Sequence, residues 1–260
     1  MNEPYYDLIY LSPHLDDAAL SCGGQIWTHT TNGRSVLIVT IMAGDPPNIP
    51  LSDFARLLHD RWSLAQNAVT RRREEDACAC RVLGAEFVHW DIPDCIYRYD
   101  EATNEPLYPS WADIITTQHP ADNELIQSLV HRLLHLPAWG EMVVPLGVGG
   151  HVDHRITRLA AEKAFGGENL LYYEDYPYVR EPGALEQVIL GKSNLWQPQA
   201  ISLSAMALSH KVAAIACYAS QLSSFFNGRS DLEQQIAEYA QRTGGERVWR
   251  QAAVSTPGHY

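Results

Sequence analysis

Residues 7–17 read Asp7-Leu8-Ile9-Tyr10-Leu11-Ser12-Pro13-His14-Leu15-Asp16-Asp17, an apolar run that breaks at Ser-Pro and opens onto a histidine and two carboxylates. The run is β-prone, and the proline after it cannot continue a regular sheet. Residues 16–31 then carry Ala18, Ala19, Leu20, Ile26 and Trp27 at helical spacing, with Gly23-Gly24 as an interruption and Asn32-Gly33 as a stop. Strand, polar loop and helix form the opening unit of an α/β sheet, which places its chemistry where strands end. Two carboxylates at the start of that helix also sit favourably in its macrodipole.

The same unit recurs along the chain. Residues 36–43 (VLIVTIMA) are almost wholly apolar, as in a strand covered on both faces. A Pro-rich loop over 44–50 leads into a long predicted helix over 52–83, ended by Gly84, and a third strand over 86–90. Residues 95–120 are rich in Tyr, Pro and Trp without periodicity, and their aromatic content predicts a rim over a site. The pattern then gives a helix over 123–136, a strand over 142–146, a helix over 153–165 and a strand over 170–173. An edge strand over 200–203 and a closing pair of helices over 206–226 and 231–242 complete it. There is no internal repeat or linker. The expectation is one domain over 1–260, a three-layer α/β/α sandwich on a mostly parallel, Rossmann-like sheet.

A second polar block, Gly149-Gly150-His151-Val152-Asp153-His154, follows the fourth apolar run. His14 and Asp17 stand three residues apart and can share one face once the chain turns into a helix. With His154 they would complete the two-His, one-carboxylate donor set of a catalytic zinc, which keeps a position for water. Asp16 is then spare and suited to be a base, and His151 is suited to donate a proton or hold an oxyanion. Either block alone is commonplace, since Asp often caps a helix. Both at strand ends of one chain point to metal-assisted hydrolysis.

Composition sets further bounds. A formal charge of −12 and a pI near 5.3 argue against nucleic acid, which calls for a basic face. The longest apolar stretches are too short to span a bilayer. Met1-Asn2-Glu3-Pro4 has no basic or apolar leader features, so a cytoplasmic protein is expected. The five cysteines are odd in number and form no CxxC, which predicts free, buried thiols in a reducing compartment. A homo-oligomer is compatible with all of this. Neither the GxGxxG of a Rossmann oxidoreductase nor the GxSxG of a serine hydrolase is present.

Residues 12–24 (SPHLDDAALSCGG) with 149–155 (GGHVDHR) resemble the LmbE-like, or PIG-L, family of zinc-dependent N-deacetylases, whose signature is a [P/A]HxDD block and an HxDH block. The likeness continues in Arg72-Arg73-Glu74-Glu75 with Leu83-Gly84, in residues 172–178 (YYEDYPY), and in His210-Lys211 with Tyr218-Ala219-Ser220-Gln221. It implies that His14, Asp17 and His154 hold zinc, or another divalent metal, and that Asp16 is the general base. It also implies that His151 steadies the tetrahedral intermediate and that Asp153 orients a neighbouring imidazole. The implied reaction removes an acetyl or other acyl group from an amino-sugar nitrogen. Members act on glucosaminyl-inositols, bacterial thiol precursors, chitooligosaccharides and glycopeptide antibiotics, and Leu15 with the Gly-Gly before His151 looks closest to the last branch. Arg72, Trp111, Tyr176 and Tyr178 are the expected substrate contacts. A metal-dependent amidase of thiol conjugates, or a silent binding protein of the same fold, stands as the alternative.

Overall fold

The opening apolar run lies within strand β1 (Tyr5–Ser12), buried from Leu8 onward. In the computed structural model, which describes residues 4–62, 67–115, 117–189 and 195–252, β1 is an inner strand, third in order, of a seven-stranded sheet. The order is β3 (Glu86–His89), β2 (Val36–Thr40), β1, β4 (Ala138–Pro145), β5 (Leu170–Tyr173), β7 (Glu246–Gln251) and β6 (Trp196–Ile201). β1 to β5 run parallel, in register through pairs such as Ile9 with Leu37 and Ile9 with Met142. β7 is antiparallel to both β5 and β6.

Alternation along β1 explains the three layers. Ile9 and Leu11 belong to one buried cluster, with Ile126, Leu129 and Leu133 of α5 (Asp122–Leu133) and Ile156 of α6 (Val152–Phe165). Leu8 and Tyr10 belong to the other. That cluster takes in Cys22 and Ile26 of α1 (Asp17–Thr31), Ala79 and Leu83 of α3 (Ala68–Leu83), and Ala214 of α8 (Ala205–Ile215). Successive strand side chains point to opposite faces, so one apolar run feeds both cores. Each fully buried Leu or Ile contributes about 1.5–3 kcal/mol relative to exposure.

Several boundaries differ from those read in the sequence. The long helix over 52–83 is two, α2 (Asp53–Arg61) and α3, with residues 63–66 outside the described residues. Segment 95–120 holds a 3₁₀ turn (Cys95–Tyr97) and a short helix, α4 (Trp111–Ile114). The edge strand lies at Trp196–Ile201, and β7 was not foreseen. Helix α7 (Ala184–Ile189) was not foreseen either, and the closing helices are α8, α9 (Leu222–Phe225) and α10 (Arg229–Thr243). The expectation of five free thiols is corrected: Cys78 of α3 and Cys217 just after α8 are disulfide-bonded, with Cα atoms 5.9 Å apart. The packing of α3 on α8 brings together residues 139 positions apart, which spacing in sequence could not reveal. Cys22, Cys80 and Cys95 are free and buried. No helix among the described residues is long and apolar enough to cross a membrane.

The strand order fixes where the chemistry sits. β1 is followed by β2 on one side and β4 by β5 on the other, so their loops diverge and leave a crevice at adjacent strand ends. His14 follows β1 and His151 follows β4.

The turn into β7 rests on Gly245, whose φ of +127° disfavours side chains and whose added Cβ would lie 1.9 Å from the Ile201 carbonyl oxygen. Gly245→Ala is expected to cost about 1–3 kcal/mol. A lower denaturant midpoint at unchanged slope is the outcome that checks this; an unmoved midpoint refutes it.

Candidate metal centre and active site

His14, His151 and His154 converge in the crevice, with ring centroids 4.8, 5.3 and 5.2 Å apart pairwise. All three are buried. Their tautomers follow from what holds their other nitrogens. His14 Nε2 donates to Asp153 Oδ2 at 3.0 Å, which leaves Nδ1 facing Asp17 Oδ2 at 3.2 Å. His154 Nδ1 donates to Asp175 Oδ1 at 2.6 Å, which leaves Nε2 at 3.3 Å from the same Asp17 oxygen. Each of these rings is thus backed by a carboxylate, the arrangement that fixes a metal-ligating imidazole. Asp175 is itself held by the Val148 backbone N–H at 2.8 Å, and Asp153 by the Cys95 N–H at 3.0 Å and Arg98 Nη2 at 2.7 Å.

His151 differs. Its Nδ1 accepts from the Asp153 backbone N–H at 3.2 Å, so the neutral ring carries its proton on Nε2. Burial and the neighbouring His14 and His154 press its pKa well below the usual value, which keeps it neutral. That makes it a hydrogen-bond donor towards the cavity it lines.

The carboxylates divide similarly. Burial would raise Asp17, but His154 and His14 hold it well below the usual range. In return, Asp17 and Asp175 overcome burial to lift His154 to about 9. Asp16 is pushed up to about 7 by burial, against the opposing pull of Arg72. It is the residue just before α1 and has φ +141°, a conformation that costs a non-glycine residue about 1–3 kcal/mol. The strained turn sends Asp16 to the Arg72 side, 3.6 Å from Nη2, and Asp17 to the imidazoles.

The donor set fits a divalent cation. His154 Nε2 is buried with no hydrogen-bond partner, and it faces Asp17. Two neutral nitrogens and one carboxylate oxygen are the hard-to-borderline donors that zinc and its neighbours take. A set of the three histidines is also close enough, their nitrogens lying within 4.8 Å of one another. Among the described residues no carboxylate is seen hydrogen-bonded to His151, unlike His14 and His154.

The surrounding cavity, about 240 Å³, is lined by Leu58, Trp62, Arg72, Trp111, Tyr178 and Gln221 among others. Trp111 stands at its rim, 49% exposed, edge-on to Phe54. Tyr178 packs 5.8 Å from His154, an approach that Gly149 allows, because a Cβ there would lie 2.7 Å from the Tyr178 side chain. Tyr176 lines the cavity too but is 1% exposed, its ring packed on Tyr239 and Phe226. Arg72 is buried under the Trp62 ring and donates to the Leu15 carbonyl at 3.1 Å. Sequence reading missed Asp94, whose Oδ2 lies 3.7 Å from His14 Nε2, as well as Arg98 and Asp175; Arg98 falls in the 95–120 segment and Asp175 in the YYEDYPY block, but neither was given a role there.

A Rossmann-ordered sheet with imidazoles and carboxylates gathered at its switch point is the plan of a metal-dependent hydrolase. The chain belongs to the PIG-L family: the profile described as "PIG-L: GlcNAc-PI de-N-acetylase" matches residues 9–165. It is 27% identical over 197 residues to a 2'-N-acetylparomamine deacetylase of Niallia circulans, 68% of this chain and 70% of that one. It is 31% identical over 182 residues to the 2'-N-acetylparomamine deacetylase of Streptomyces fradiae, 68% of this chain and 60% of that one. The crystal structure of the zinc-inhibited form of teicoplanin deacetylase superposes with TM-score 0.82 at 27% identity, covering 98% of this chain and 100% of that one. These relatives are deacetylases, hydrolases of amide bonds.

Because Asp17 and Asp175 keep His154 protonated up to about 9, a metal must displace that proton. Metal affinity is therefore expected to rise with pH across the neutral range and to fall as pH drops and the imidazole holds its proton. Zinc titration against a chelator at several pH values measures this. A pH-independent affinity would remove His154 from the ligand set.

Proposed function

We propose that this protein is a metal-dependent N-deacetylase that cleaves the acyl–nitrogen bond of an N-acetylated amino sugar or its glycoconjugate. The observation that carries the reading is Asp17 seated between two imidazoles, each held by its own buried carboxylate, with Asp16 alongside. The acetylparomamine and teicoplanin deacetylases among its relatives support an amino-sugar substrate.

His14, Asp17 and His154 would hold the cation, zinc or another divalent transition metal. When bound, it supplies Lewis acidity, polarising the acyl carbonyl and easing deprotonation of water. Asp16 accepts a proton from water as the oxygen attacks the carbonyl carbon. The His151 Nε2–H donates to the acyl oxygen, which gains negative charge in the tetrahedral intermediate. As the C–N bond breaks, the proton held on Asp16 passes to the nitrogen, and acetate and the amine leave. Arg72 steadies Asp16 as a carboxylate, and Trp111 and Tyr178 offer rings on which a sugar face can stack.

The two neighbouring carboxylates should separate on substitution. Asp16→Asn is expected to keep full metal content and lose about 10²-fold or more in kcat on an N-acetyl amino sugar, the scale of a positioned base. Asp17→Asn should instead weaken metal binding, with activity partly restored by added zinc. Metal content measured beside primary-amine release decides; an Asp16→Asn protein that purifies empty would exchange the roles.

The pH dependence has a defined sign. Asp16 works as a base only when ionised, so activity should rise with pH through an acid limb at or below about 7 and fall as Asp16 protonates. The kcat/KM profile tests this. A profile flat down to pH values well below neutrality would count against Asp16.

A further inference from the structure

Arg98 lies behind the site rather than in it. Its side chain is 8% exposed, and Nη2 donates to Asp153 Oδ1 at 2.7 Å while the other oxygen of Asp153 accepts from His14. On the far side, Nε lies 3.2 Å from Asp122 Oδ1 in ion-pair contact without hydrogen-bond geometry. Asp122 in turn accepts from the Tyr108 hydroxyl at 2.5 Å, and the guanidinium sits over the Tyr108 ring, 5.4 Å from its centroid.

This is an expensive arrangement. Arg98 Nε and Nη1 are both buried without a hydrogen-bond partner, and each such donor costs about 1–3 kcal/mol. A buried ion pair of this kind is often no more stabilising than apolar side chains of the same volume. Stability alone therefore does not account for Arg98. Its position does, because the planar fork reaches the carboxylate that orients a metal-binding imidazole.

We infer that Arg98, braced by Asp122 and Tyr108, is a positioning residue for the metal centre. It fixes the Asp153 carboxylate, and through it the His14 ring, with Nδ1 turned to Asp17. The segment from Cys95 to α5 is thus a buttress as well as a rim: Trp111 and Ile114 line the cavity, while Arg98, Tyr108 and Asp122 hold its wall from behind. The inference rests on the ligand set proposed above.

The test is zinc affinity of the full chain by chelator competition, with thermal stability and the Co²⁺ absorption spectrum recorded beside it. Arg98→Met is expected to weaken zinc binding about 10- to 100-fold, the range for residues that orient a ligand. Arg98→Lys, which keeps the charge and loses the fork, should fall between Arg98→Met and the wild type. Both should alter the Co²⁺ spectrum, which lost stability alone would not do. If Arg98→Met does not fold, the milder Asp122→Asn and Tyr108→Phe carry the test and should weaken zinc binding in the same direction. His14→Ala is the control. If it loses zinc while the folded Arg98, Asp122 and Tyr108 variants bind zinc as the wild type does, the positioning role is overturned and the ligand set stands. If His14→Ala itself binds zinc normally, the ligand set fails and this inference fails with it.

Discussion

Negative charge buried at one point governs this molecule. Asp16, Asp17, Asp153 and Asp175 are all withdrawn from water within one crevice. Arg72 reaches Asp16 and Arg98 reaches Asp153, whereas Asp17 and Asp175 are met by imidazoles and backbone N–H groups. Burying a carboxylate without compensation costs several kcal/mol even after relaxation. Asp17 is therefore stable there only if positive charge sits between it and the two rings, as protons on the imidazoles or as a cation in their place. A cation bound by these residues would take the place of those protons and meet a charge requirement that the buried carboxylates already impose.

That concentration of charge is reachable because of strand order. β1 and β4 lie side by side, yet their following elements leave in opposite directions, so two loops remote in sequence end in one crevice. The backbone then separates residues that sequence makes adjacent. The strained φ at Asp16 turns one carboxylate to Arg72 and the next to the imidazoles, giving two environments that differ in proton affinity. Strain of this kind persists only where surrounding contacts over-determine it. Here Ser12 Oγ accepts from Ala18 N at 3.0 Å, Asp17 accepts from His14 N at 2.8 Å, and Arg72 holds the Leu15 carbonyl.

Much of this was legible in the residues themselves. Parallel strands buried on both faces declare themselves as apolar runs, and the His and Asp blocks at their ends mark the crevice. What was hidden has physical reasons. The edge strand expected over 200–203 begins earlier, as β6: Pro198 and exposed polar residues argue against a strand, yet a proline is tolerated at the sheet edge where β6 lies. The residues that orient the ligands were hidden for another reason. Asp175 and Arg98 act from other strand ends and loops, and an Asp or Arg that holds another side chain has no local pattern. The sequence reading gave Asp153 the task of orienting an imidazole without saying which; the fold assigns His14. The disulfide was hidden because it depends on helix packing, not on spacing.

The same logic explains α3, whose periodicity merged with α2 in the sequence. Arg72, Glu75 and Cys78 recur every three residues, and each fastens a different piece of the site region to this helix. Arg72 holds the turn at Leu15 and Asp16. Glu75, itself buried, accepts from the Ser220 backbone and hydroxyl at 3.0 and 2.6 Å, and Cys78 bonds Cys217. The last two contacts tether the segment that carries Gln221 into the cavity wall. A helix outside the crevice thereby sets both the environment of Asp16 and one wall of the cavity. A site built from loops at diverging strands has little rigidity of its own. Preorganisation requires supports on regular elements, which here are α3 on one flank and the Arg98 network on the other.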